Sequence, residues 1–182
     1  MLRLLTAMML SGCAKAESAP MAETTLVPMP AADTPPSTDS AATIAAFERR
    51  VAAIERDTAR MNKVQASVAL GASTTGLLTG WRVGPVWRRL RVAADGPGFR
   101  SLDNYWLSDG IFLGARLEVA RPKGKPDVDV IWFRGPSLYR WTDADGRHLT
   151  PDARSTQFQV QMMRARLDSL LHLLDATQAP AR

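Results

Sequence analysis

The chain has 182 residues and a mass of 19.9 kDa, room for one modest domain with tails and too little for a large multidomain enzyme. Its 23 basic side chains exceed the 18 acidic ones, and a single Cys with two distant His supplies neither an internal disulfide nor a ready metal framework. Of the hydrophobic residues 27 are Ala, and 11 of the 12 aromatics fall between Trp81 and Phe158, so the core is expected within that stretch.

The chain opens with Arg3 ahead of a short apolar run, Leu4 to Leu10, too short to span a bilayer and long enough for a secretory leader. Leu10-Ser11-Gly12-Cys13 follows at once, with small residues leaving a cleavable backbone in front of the only thiol. On these residues the N-terminus resembles the bacterial lipoprotein class, whose lipobox is an apolar residue, two small residues and the lipidated Cys. The resemblance covers about the first fourteen residues. It implies that residues 1–12 are a signal peptide, that Cys13 is acylated, and that the mature protein is attached to membrane by several acyl chains. Ala14, in place of the Asp that retains members of the class in the inner membrane, implies the periplasmic face of the outer membrane.

Residues 13–42 contain five Pro and no aromatic, and read as a disordered tether carrying the lipidated Cys. A helix is predicted over 40–63, because Ile44, Phe47, Val51, Ile54, Thr58 and Met61 follow alternating spacings of three and four. That heptad pattern has two readings: self-association or partner-helix docking through 44–61, or packing of an amphipathic helix on the chain's own sheet.

Val64 to Trp81 holds no charged residue over 18 positions, and strand, helix and membrane-associated segment all stay open for it. A strand is placed at Gly76–Val83, with further strands at Val86–Ala93, Ile111–Ala120 and Asp127–Arg134. In the second of these, Trp87, Arg89 and Arg91 are expected on one face, opposite Val86, Leu90 and Val92. A small hairpin is predicted around Leu138–Leu149, turning at Asp143 to Gly146. Thr150-Pro151-Asp152 marks a helix start, with a helix over 151–175 carrying an apolar stripe of Phe158, Leu167, Leu170 and Leu174. The fold class is α+β: an antiparallel sheet of about four to six strands over 75–149, an N-terminal helix, and a covering C-terminal helix, the whole domain running 43–182.

Chemistry is sparse. No nucleophile elbow is present, and Asp143, Asp145 and His148 fail an EF-hand loop at its two anchoring positions, so they read as a turn. Leu138 to His148 is also similar to the opening hairpin of a small proteobacterial envelope domain of unknown function, through its Tyr-x-Trp and Asp-x-x-Gly pattern. Asp127 and Asp129, two apart on a strand, read as a solvated edge rather than a carboxylate pair for catalysis. Residues 94–110 read as a long connection in which Ser101 starts a short helix, with Tyr105 and Trp106 as binding candidates otherwise.

No catalytic, metal or cofactor site is expected. The candidate binding surface is Trp87, Arg89, Arg91, Tyr105 and Trp106. Export argues against nucleic acid as a partner. The expected role is a non-enzymatic lipoprotein presenting a small domain to a protein partner in an envelope or secretion assembly. The alternative is a module that binds lipopolysaccharide, lipid or peptidoglycan through a basic aromatic sheet face.

Overall fold

A computed structural model describes residues 38–70 and 74–178; the expected signal peptide, Cys13 and the expected tether up to residue 37 lie outside them. Helix α1, Thr38–Asp57, is followed by one 3-10 turn, Thr58–Arg60. Seven strands come next: β1 Asn62–Ala69, β2 Thr75–Val83, β3 Val86–Gly96, β4 Phe99–Ser108, β5 Ile111–Ala120, β6 Asp127–Arg134 and β7 Ser137–Thr142. Helix α2, Arg154–Gln178, closes the fold. The strands lie in chain order and every neighbouring pair is antiparallel, so the sheet is a simple meander.

The architecture is α+β, as the pattern predicts, with seven strands rather than four to six. The two additions are β1 and β4. The uncharged stretch 64–81 contributes most of β1 and much of β2, and no helix among the described residues is long and apolar enough to cross a membrane. Residues 99–108 form β4, not a loop with a short helix. The turn from β4 to β5 is Asp109-Gly110, both at positive φ (52° and 78°), which is the geometry a two-residue hairpin requires and the residue pair that tolerates it.

Helix α1 stops before 63. Thr58 Oγ1 donates to the Glu55 carbonyl at 2.7 Å, and the Met61 N–H closes on the Thr58 carbonyl. Thr150-Pro151-Asp152 forms a turn ahead of α2, with the Ala153 N–H donating to the Thr150 carbonyl at 3.2 Å, so α2 starts three residues later than its sequence signal. The predicted 138–149 hairpin forms in short: the chain turns at Asp143 to Gly146, the Asp143 N–H donates to the Arg147 carbonyl and the Leu149 N–H to the Trp141 carbonyl, and the ladder is a single Thr142–His148 bridge, while β7 pairs along its other edge with β6.

Both faces of the sheet are used. Leu78, Leu90, Val92, Tyr105, Ile131, Phe133 and Trp141 form one core with Val160, Met163, Leu167, Leu170 and Leu174 of α2. On the other face Phe47 of α1 stacks on Trp132 of β6 (5.4 Å between centroids, 6° between planes), and Trp132 lies beside Trp106 of β4 at 6.4 Å. Such aromatic pairs contribute about 0.5–1.5 kcal/mol each beyond their burial. Ile44, Val51 and Ile54 pack against the same cluster. Four of the six heptad positions are therefore occupied by the chain's own sheet.

Gly114 of β5 sits in register between Trp106 and Trp132. A Cβ there would lie 2.7 Å from the Trp132 ring and 2.5 Å from the Ile131 carbonyl oxygen, so the strand can carry the stacked indoles only without a side chain. Gly114→Ala should destabilise the fold by about 1–3 kcal/mol through overpacking, seen as a lower midpoint in urea denaturation. An unchanged midpoint would show that Trp132 can move freely.

Candidate binding surface

The expected basic aromatic face does not assemble as its alternation predicts. Trp81 pairs with Arg89 and Arg82 with Trp87, which leaves Arg88 as an extra residue in β3. This bulge turns Trp87 to the α2 side, where it is 7% exposed and donates from Nε1 to Asp175 Oδ1 at 3.0 Å. Tyr105 is buried in the same core, at 1% exposure. Trp106 points to the α1 side and is also buried. Three of the five candidate residues are thus structural, and Trp87 and Tyr105 lie on the opposite face from Arg89 and Arg91.

Arg89 is largely structural too. Its Nη1 lies 2.5 Å from Glu55 Oε2, its Nη2 donates to Asn104 Oδ1 at 3.1 Å, and its guanidinium lies 4.7 Å from the centroid of the Trp81 ring. Trp106 Nε1 donates to the other Glu55 oxygen at 2.7 Å. One carboxylate on α1 therefore ties the helix to β3 and β4 together. Burial weakens Arg89's hold on its proton, and Glu55 opposes that effect.

Beyond this cluster the α1 side of the sheet is open. Gln65, Thr79, Arg91, Asn104, Arg116 and Val130 follow one another in register across β1 to β6, and the neighbouring row starts Ser67, Leu77, Ala93. Lys63, Gln65, Leu77, Thr79, Trp81, Arg91 and Ala93 line a shallow hollow of about 260 Å³. Leu77 is 48% exposed. Among the described residues Lys63 and Arg91 have no carboxylate within ion-pair distance, and Arg116 has one weak contact, 3.4 Å to Glu118. Asn104, the β4 partner of Arg91, is buried and held by Arg89. Of the five expected surface residues, Arg91 alone stands on open ground. Leu77 and Trp81 join it from either side of its β2 partner Thr79, and Lys63 joins through Trp81, its own partner, on the strand β1 that was missed.

The remaining polar groups are engaged internally. Asp103, in the α2-side core of β4, pairs with Arg166 of α2 at 2.7 Å. Burial raises its pKa, while the Arg166 charge and hydrogen bonds from Arg166 and Tyr105 oppose the rise. Burial likewise raises Tyr105's pKa. Asp129 is no solvated edge: it is half-buried and accepts from Trp141 Nε1 at 3.0 Å, whereas Asp127 pairs with Arg121 at 2.6 Å. Asp143 Oδ1 accepts the backbone N–H groups of Asp145 and Arg147, which form the turn and hold its pKa low. Among the described residues no three His, Cys, Asp or Glu are gathered as a metal site would need. No protein-family model, curated protein or solved structure matches the chain.

Two predictions follow from these contacts. Arg89→Met leaves Glu55 without its cation and should lower stability by about 1–3 kcal/mol, whereas Arg91→Ser, on the open face, should fall within about 0.5 kcal/mol of the parent in urea denaturation. Equal losses would mean that the Glu55 pairing contributes nothing. The second concerns pH. A carboxyl whose folded pKa is raised favours the fold most when protonated, so its contribution declines as pH rises from below about 4 through the folded value. Arg166→Met removes the main opposing charge and raises Asp103 further. The variant should lose about 2 kcal/mol at pH 7.5 and clearly less at pH 5, the modest size reflecting the 43% exposure of the Arg166 side chain. A loss independent of pH would contradict this.

Proposed function

We propose that this chain is a non-enzymatic lipoprotein, anchored through acylated Cys13 on the periplasmic face of the outer membrane, whose folded unit presents the open strip of its sheet to an acidic surface on a protein partner in an envelope or secretion assembly. The observation that carries the reading is the uncompensated pair Lys63 and Arg91 around exposed Leu77 and half-exposed Trp81, on the part of the sheet that α1 leaves open. An apolar contact ringed by charges of one sign is a pattern of interaction surfaces and contributes nothing evident to the fold. The lipid anchor rests on the Leu10-Ser11-Gly12-Cys13 motif.

A second reading has its own support. The hollow at Lys63, Thr79, Trp81 and Arg91 is concave and combines one indole with two cations, which suits a sugar ring bearing phosphate, as in lipopolysaccharide. The double variant Lys63→Glu/Arg91→Glu tests both. Under the first reading a crosslinked envelope protein recovered with the parent chain is lost with the variant, and purified lipopolysaccharide binds neither. Under the second, salt-sensitive binding of lipopolysaccharide to the parent falls about tenfold or more. A variant that keeps every partner of the parent would exclude the open strip from function. Mass spectrometry checks the anchor: the mature parent should begin at a triacylated Cys13, and Cys13→Ser should carry no acyl chain.

A further inference from the structure

We propose that a second site, the groove between α1 and the β4–β5 and β6–β7 turns, binds a single-chain amphiphilic anion, an alkyl carboxylate, with its tail against apolar side chains and its headgroup at Arg50 and Arg134. The groove encloses about 780 Å³, within the ordinary range of small-molecule sites. It exists because α1 faces it with Ala42 and Ala46, too short to reach the sheet, and because Gly135 at the β6–β7 turn adds no side chain. Phe47 and Leu113 provide the apolar wall on the α1 side, Phe112 and Phe133 border it at the strand ends while their side chains belong to the α2-side core, and Ile111 at its mouth is 58% exposed. That exposure leaves apolar area which an alkyl chain would remove from water.

The rim carries two cations and one paired acid. Thr43 and Arg50 lie seven residues apart on α1, hence on one side of the helix, and Arg134 Nη2 reaches Thr43 Oγ1 at 3.4 Å. The Arg134 guanidinium sits 4.8 Å from the centroid of Tyr139, which fixes it beside the groove without neutralising it. Among the described residues neither Arg50 nor Arg134 has a carboxylate within ion-pair distance. The one acid in the lining, Asp109, is held by Arg88 at 2.9 Å. Two available guanidinium groups above an apolar wall select a ligand with a charged end and a hydrocarbon end, and planar guanidinium matches carboxylate well.

The test uses the full chain carrying Cys13→Ser, which keeps acyl chains and detergent out of the sample. Calorimetric titration with decanoate below its micelle concentration should give saturable one-to-one binding. Decanol, with the tail alone, should bind about tenfold more weakly, and acetate, with the charge alone, should give no saturable heat. Arg50→Glu/Arg134→Glu should weaken decanoate about tenfold or more without lowering the melting temperature, both residues being exposed. Lys63→Glu/Arg91→Glu should leave decanoate binding at parental strength, so this outcome is separable from that of the open strip. Should the groove double variant fold poorly, Arg50→Gln alone has the same expected direction. Equal binding of decanol and decanoate, parental binding by the groove variant, or no saturable heat with decanoate would each overturn the site.

Discussion

A helix is about 10–12 Å across, whereas strands of eight to eleven residues run about 26–36 Å, so a helix laid across the strands covers only part of a face. That mismatch governs this molecule. Helix α1 crosses at the row of Arg89, Trp106 and Trp132, where Phe47 and Glu55 reach the sheet. The rows beyond it, through Thr79 and Arg91, have no helix over them. The open strip is therefore a consequence of laying one narrow helix across long strands.

The attachment of α1 is chemically mixed. Phe47 stacking on Trp132 is apolar and tolerant of small sliding, while Glu55, reached by Arg89 and by the Trp106 indole, requires one position along the helix. Together they specify both contact and register. The same charge that makes Arg89 useful inside the fold removes it from the binding surface, so two arginines two residues apart on β3 have different roles. Arg91 is exposed because no residue of α1 reaches it with an acid.

On the opposite face α2 meets a sheet that is not purely apolar. Asp103 and Asp129 lie one row from buried Tyr105 and Ile131, and each is matched, by Arg166 and by the Trp141 indole. These pairs satisfy polar groups that would otherwise cost stability. The groove at Ile111 lies at the β4–β5 and β6–β7 turns, where α1 presents Ala42 and Ala46 beside Phe47.

Local patterning determined the elements that have one wet face or a clean alternation. Ile111–Ala120 and Asp127–Arg134 are strands with the bounds their periodicity predicts, and most of the apolar stripe of each helix is read from spacing, although Phe158, expected in the stripe of α2, is 59% exposed and Val160 enters the core in its place. Strand β4 was hidden because both its faces are covered: Tyr105 and Trp106 are buried in succession on opposite sides, and alternation disappears when each side faces a core. Strand β1 was hidden by its small, weakly apolar residues, which need only an edge position beside β2. The direction of Trp87 was decided by the bulge at Arg88, a shift of one residue that exchanges faces. Sequence by itself thus determined the α+β class and the positive balance, because each depends on composition or on neighbours along the chain. Only tertiary structure decided which arginines are free, because that depends on whether a carboxylate from a distant helix reaches them.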